Sequence, residues 1–372
     1  MKILIATPYF YPRIGGMENY SLAIAHGLSQ LGWEVVVVTG DREVKNIARE
    51  TRDGYTIYRL PIWKVVSNTP VHPGWFFMLR KIIRAERPDC INAHTPVPFM
   101  VDMVTMAAGR VPVFVTYHAA TLEKPGSSIM HAITRIYEVA QQVTLSRARA
   151  IIAVSQYVKS SLPTALHAKT FVIPNAVSGV KGPHLGGEGL LFGPNNLEPS
   201  HAWKGLDAVI DALVCYRSKY GAAPRLTVIG DGADRPRYER RVAELSLDDS
   251  VTFAGALVGE ERDHLVGKSL IQVVYPTTAN DAFPTILIEG WAQGLPVLAA
   301  SIGPIPSLIG DGQTGLLVTP GNPAALAEAM HKLLSDPQTA RTMGENARQL
   351  VEREYTWPLQ VKRTAEKFEE LI

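Results

Sequence analysis

Short apolar runs alternate with amphipathic stretches along almost the whole chain, and few folds accommodate that pattern. Ile3–Ala6 is apolar, a Pro/Gly loop follows, and a helical pattern then runs from about Glu18 to Leu31. Gly32 ends it, and Val35–Thr39 is the next strand. A strand that is apolar on both faces must be covered on both faces. Strand–helix–strand order therefore predicts a parallel sheet with helices on either side. The pattern recurs at Val113–Thr116, Ile151–Val154 and Phe171–Ile173. It resumes at Leu190–Phe192, Leu226–Ile229, Val251–Phe253, Ile271–Tyr275, Val297–Ala300 and Gly315–Val318. Helical patterning over Ala324–Leu334 and Trp357–Ile372 completes it.

A chain of 372 residues exceeds one ordinary core, so two domains are expected. Between the two sets of strands, Ser178–Gly189 reads SGVKGPHLGGEG, too rich in glycine to pack a core. The expected division is residues 1–178, a hinge at 179–189, a second domain at 190–356 and a terminal helix at 357–372 packing back on the first. Two such halves create a cleft, and open α/β sheets bind ligands beyond the carboxyl ends of their strands.

The composition narrows the function. A formal net charge of +2 gives no electrostatic case for nucleic acid. Cys90 and Cys215 are the two cysteines, too few for a disulfide framework, which favours a reducing, cytoplasmic setting. No signal-peptide pattern precedes Lys2–Thr7, and no apolar stretch approaches the roughly 20 residues that span a bilayer. No zinc spacing, P-loop, GxSxG elbow or GxGxxG fingerprint occurs, so the reading carries no metal and no cofactor.

Four loops after strands can carry chemistry. In Pro8–Glu18, Gly15 and Gly16 let the backbone approach a ligand, and the following helix offers free N–H groups to phosphate. Alone, the segment also serves as a plain turn. In Thr116–Ala120, His118 stands at a strand's carboxyl end, suited to donate to a sugar hydroxyl or phosphate, or to a structural role. His94, in Asn92–Thr95, is read as ordering its loop. In His201–Gly205, Lys204 precedes the helix Leu206–Tyr216, where a cation opposes the helix dipole unless an anion sits between them. In Asp281–Glu289, two carboxylates bracket an apolar turn that includes Pro284. The N–H groups of Thr285 and Ile286 suit phosphate, and Glu289 suits two ribose hydroxyls. A carboxylate pair also suggests glycoside hydrolysis, but the phosphate-ready surroundings fit a nucleotide donor better.

Taken together these segments resemble the retaining glycosyltransferase family 4, of the GT-B fold, over nearly the whole chain. The resemblance rests on GGMEN, VTYHA, IIAVSQYV and VIPNAV in the first half. In the second half it rests on WKGLDAVIDAL, LTVIGDGADRPRYE, VTFAGAL and the run from DAFPTILIEGWAQG to GLLVTPGN. It implies two doubly wound Rossmann-like α/β domains facing across a cleft, and metal-independent sugar transfer from a nucleotide-sugar, a UDP-sugar being favoured as common. Gly15 and Gly16 would approach the donor pyrophosphate, His118 the donor sugar, and Lys204 the diphosphate. Thr285 and Ile286 would donate to phosphates and Glu289 would hold the ribose. Asp281, Lys204 and His118 are the catalytic candidates, and Pro284 belongs to the donor loop.

Three positions depart from the family pattern. Asp281 replaces the usual Glu, one methylene longer, and small misplacements at a reacting centre cost roughly 10²-fold. The loop GPNNLEPSHAWKG lacks the Arg usually found before the Lys, leaving His201 as a substitute to consider. Pro284 stands where Gly is frequent, removing one N–H. The acceptor is not legible. The segment 63–87 combines Trp63, Trp75, Phe76 and Phe77 with Arg80, Lys81, Arg84 and Arg87. This suits a peripheral contact with an anionic membrane and a lipid-linked acceptor, but a helix with its aromatics in the core and its cations in water is the reading favoured, since basic exposed faces are common. The rival functions are a non-catalytic nucleotide-sugar binder and another GT-B enzyme, such as an epimerase or a phosphorylase.

Overall fold

The computed structural model describes residues 1–13, 15–66, 68–119, 128–180 and 187–372, with the backbone alone for 128–136. It divides into two compact units, Met1–Asn175 with Trp357–Ile372, and Ala176–Thr356. The junctions are thus Asn175/Ala176 and Thr356/Trp357. Residues 181–186 of the expected hinge lie outside the described residues.

The first unit runs β1 (Lys2–Thr7), α1 (Gly16–Gln30), β2 (Glu34–Asp41), β3 (Ala48–Arg52), β4 (Tyr55–Pro61), β5 (Lys64–Val66), β6 (Thr69–Val71) and α2 (Trp75–Glu86). It continues with β7 (Cys90–Thr95), α3 (Met100–Ala107), β8 (Val113–Tyr117), α4 (Ser128–Arg147), β9 (Ala150–Ala153), α5 (Gln156–Ser161) and β10 (Thr170–Val172). Its main sheet has the order β10-β9-β8-β7-β1-β2-β4-β3. Every pair is parallel except the edge hairpin β3–β4. The apolar centre of β2, Val35–Val38, is buried on both faces, as a doubly covered strand requires.

Strand β7 corrects the sequence reading, which placed Asn92–Thr95 in a loop. These residues are buried at the centre of the sheet. Their polarity disguised them, because burying a polar side chain is costly unless neighbours supply hydrogen bonds. Asn92 Nδ2 donates to Thr116 Oγ1 at 2.9 Å, and Gln141 Nε2 donates to Thr95 Oγ1 at 2.9 Å. The aromatic-basic segment also divides. Trp75 is buried and its Nε1 donates to the Pro61 carbonyl at 2.9 Å, while Trp63 and Phe77 are each 72% exposed.

The second unit runs β11 (Leu190–Asn196), α6 (Leu206–Tyr220), β12 (Leu226–Asp231), α7 (Arg235–Glu244), β13 (Val251–Gly255), α8 (Gly259–Gly267) and β14 (Ile271–Val274). Then follow α9 (Thr285–Ala292), β15 (Val297–Ala300), α10 (Ile305–Leu308), β16 (Gly315–Val318), α11 (Pro323–Leu334) and α12 (Pro337–Glu354). Its all-parallel sheet has the order β13-β12-β11-β14-β15-β16, the doubly wound arrangement of a nucleotide-binding domain. A core built on Phe192, Ile210, Val228, Ile271, Leu298 and Met330 fills one face.

The last helix, α13 (Trp357–Leu371), belongs to the first unit. Its Phe368 is fully buried, with ring centroids 4.4 Å from Phe114 and 6.4 Å from Trp33. Val361 fills the space above Gly27 of α1, and the Leu371 carbonyl accepts from Arg149 Nε at 2.8 Å.

Candidate functional site

In the second unit the strand order reverses between β11 and β14, the point where doubly wound sheets open a crevice. A pocket opens there. Phe192 and Asn195 of β11 and Val274, Tyr275 and Pro276 at the end of β14 form its walls, joined by Lys204, Asp281, Pro284 and Ile286. Asn195 reaches the pocket because β11 shifts register between Phe192 and Asn195, past Gly193–Pro194. The sequence reading missed Phe192, Asn195 and Tyr275. The available signal was the GPNN break in an apolar run at a strand's carboxyl end.

Lys204 ends a short 3₁₀ turn, Pro199–Lys204, and Gly205 then caps α6 in a left-handed conformation, φ 87°. A side chain at Gly205 would collide with the Tyr275 carbonyl. Trp203 O accepts from Thr277 N at 2.8 Å. These two contacts tie the Lys204 turn to the loop after β14. Lys204 Nζ lies 2.7 Å from Asp281 Oδ2 and 4.2 Å from the Trp203 ring centroid. The paired side chains are 25% and 20% exposed. Asp281 therefore holds Lys204 and is not the N-cap of α9. The residue at the N-cap of α9 is Pro284, which offers no side-chain cap, and no side chain among the described residues caps that end. The first-turn N–H groups of Thr285 and Ile286 remain available to an anion.

Glu289 lies one turn further along α9, on the face of Thr285. It is half-buried, and Arg262 Nη1 stands 4.0 Å from its Oε2. Burial raises its pKa, Arg262 opposes that shift, and Asp263 adds to it. His201 is not among the residues that line the pocket. Burial, with the charge of Lys204 adding to it and Glu198 opposing, lowers the His201 pKa. Lys204 is the cation that lines the pocket among the described residues.

In the first unit the order reverses between β1 and β7. The loop after β1 leads to α1, whose N-cap is Gly15 in extended conformation. The Glu18 carboxylate folds over Gly15 and would have to move aside for a side chain there, and it pairs with Arg13 Nε at 3.3 Å. The space beside Gly16 is open. His118 follows β8, and its N–H donates to the Thr95 carbonyl at 2.9 Å. Its Nε2 lies 2.9 Å from Nδ1 of His94, and Tyr20 packs edge-on against its ring at 4.8 Å. Burial lowers its pKa to about 3, so the ring is neutral over the ordinary working range.

Two family profiles match this chain: Glycosyltransferase Family 4 over residues 14–178 and Glycosyl transferases group 1 over residues 198–350. The chain is a GT-B glycosyltransferase of the group 1/family 4 type. Among relatives of this transferase, the O-antigen chain mannosyltransferase C of Escherichia coli is 26% identical, aligning 96% of this chain with 95% of its own. The D-rhamnosyltransferase WbpZ of Pseudomonas aeruginosa is 27% identical, over 91% of this chain and 88% of its own. In fold, the transferase resembles Anabaena Alr3699/HepE in complex with UDP and glucose, with a TM-score of 0.76 at 20% identity and full coverage of both chains.

Proposed function

We propose that the protein transfers a sugar, with retention and without a metal, from a nucleoside-diphosphate donor to a lipid-linked or small glycoside acceptor in glycan biosynthesis. The observation that carries this reading is the pocket at the β11/β14 switch point, where Lys204, Asp281 and the uncapped start of α9 come together. A cation and free N–H groups are what a departing diphosphate needs, and donors preorganised for that charge lower the barrier. The Thr285 and Ile286 N–H groups and Lys204 take the phosphates, and Glu289 takes the ribose. Gly15 and Gly16 accommodate the pyrophosphate, and His118 donates to the sugar. Asp281 gives up part of its hold on Lys204 when the diphosphate binds and positions the sugar ring. The anomeric carbon–oxygen bond to the diphosphate breaks, the acceptor oxygen bonds to the same face, and its proton passes to the leaving phosphate. A UDP-sugar is the favoured donor, in keeping with the fold likeness to a protein solved with UDP and glucose.

The test is a thermal-shift panel of UDP, GDP, ADP and CDP and their sugars, followed by turnover of the stabilising donor. A ligand at 100 times its Kd adds about 2.7 kcal/mol, a clear shift in Tm. UDP is expected to stabilise. A shift with GDP alone would change the base and leave the donor site standing. No shift with any nucleotide would favour a chain in which Asp281 has closed the pocket on Lys204. Turnover should survive EDTA, and the product's anomeric configuration, read by NMR, should match the donor's.

On the acceptor side, Phe77, Lys81 and Arg84 are exposed on one face of α2, with Trp63 and Lys64 exposed just before it. Aromatic and basic groups presented together suit the interface of an anionic bilayer, which would place the protein peripherally at a cytoplasmic membrane face. Flotation with anionic vesicles should carry it upward, and the double variant W63A/F77A should not float.

A further inference from the structure

His94 stands near the carboxyl end of β7, fully buried, and the only hydrogen-bond partner of its side chain among the described residues is His118. The Nδ1 to Nε2 separation is 2.9 Å, and the two ring planes differ by 16°. Tyr20 closes the same side, with ring centroids 5.8 Å from His94 and 4.8 Å from His118. The other nitrogen of His94, Nε2, is buried and has no partner among the described residues.

Two neutral imidazoles in such a contact share one hydrogen, and only two arrangements exist. If His118 Nε2 carries it, His94 Nδ1 accepts, and the remaining proton of His94 sits on Nε2 as a buried N–H with no acceptor among the described residues. If His94 Nδ1 carries it, His94 Nε2 is left as an unpaired lone pair. Orphaned buried N–H groups are rarer than under-satisfied acceptors, which places the hydrogen on His94 Nδ1. His118 then accepts at Nε2 and keeps its own proton on Nδ1. We propose that His94 is a positioning residue that fixes the Nδ1–H tautomer of His118, so that His118 meets its ligand as a neutral donor through Nδ1. The role given to that donor rests on the transferase reading above, but the tautomer does not. The lowering of both histidine pKa values by burial agrees with a neutral pair.

The experiment is histidine-selective ¹⁵N NMR on the full-length protein, with His118 assigned from His118→Gln. Wild type should show His118 protonated on Nδ1 and bare on Nε2. His94→Asn, whose amide nitrogen replaces Nδ1 as a donor, should preserve that pattern, and His94→Leu should release it to a mixture. A proton on His118 Nε2 in wild type would overturn the proposal whether or not any variant folds. In turnover, His94→Leu should lower kcat at least about tenfold with the Kd for UDP unchanged, and His94→Asn should recover most of the loss. Equal losses in both variants would also overturn it. Absence of turnover in wild type would count against the transferase reading, and the NMR pattern would still decide the tautomer.

Discussion

At the residue scale the pairing of Lys204 with Asp281 carries most of the consequences. Both side chains keep some contact with water, so breaking the pair costs stability little, within about 1 kcal/mol. Its functional effect should be far larger. Lys204→Ala is expected to leave Tm within a few degrees of wild type and to remove the nucleotide-induced shift. Asp281→Asn should retain the shift and lose turnover at least about 100-fold, measured as kcat with saturating donor. Loss of both together in Asp281→Asn would mean that Asp281 builds the pocket and does not act on the sugar. The histidine pair makes a separate prediction about acid. The folded pKa of His118 is about 3, against an ordinary value of 6.5, so the unfolded chain takes up the proton first. The associated stability is fully present above about pH 6.5 and is lost as pH falls toward 3. Urea midpoints across that window should fall more steeply for wild type than for His118→Gln.

At the element scale, two glycines and one helix show how the site is held. Gly205 is obligatory because its φ is 87° and the Tyr275 carbonyl occupies the space of a Cβ. Gly205→Ala should destabilise by roughly 1–3 kcal/mol and weaken nucleotide binding, because the Lys204 turn must shift. Circular dichroism melts with and without nucleotide would show both effects. Gly290 of α9 is constrained differently: its backbone is ordinary helix, and a Cβ there would meet the Gln272 side chain, whose Nε2 donates to the Gly193 carbonyl at 3.0 Å. One buried side chain thus sets the approach of α9 to the switch-point strands. In α13, Phe368 is packed against Phe114 and Trp33, so Phe368→Ala should cost about 3–5 kcal/mol. A denaturant midpoint unchanged in that variant would mean that α13 adds little to the first unit.

At the scale of the whole molecule, two cores of separate composition share one chain, and the first is completed by residues that follow the second. Chains with more than one core depart from two-state unfolding. Calorimetry is expected to resolve more than one transition, and a stabilising nucleotide should raise the one that belongs to Ala176–Thr356, where Lys204, Asp281 and α9 reside. Phe368→Ala should lower the other. A nucleotide that raised only the transition sensitive to Phe368→Ala would place the donor in the first unit.

Apolar strands and amphipathic helices were readable from residue order alone, because burial on both faces of a strand leaves runs such as Val35–Val38 with no polar alternative. The parallel α/β class and the family followed from the order of those runs and of the motifs around them. Strand β7 was not readable. Its Asn92, His94 and Thr95 are polar, and the side-chain hydrogen bonds that they make go to distant neighbours such as Thr116, His118 and Gln141. The same holds for the site. Lys204 and Asp281 are 77 residues apart, and nothing local to either indicates that they form an ion pair. That Cys90–Thr95 is a central strand, that Asp281 holds a lysine and does not cap a helix, and that His94 meets His118 were decided by strand order. Sequence periodicity encodes which face of an element is buried, but which distant side chain arrives to satisfy a buried or charged group is set only when the sheet assembles.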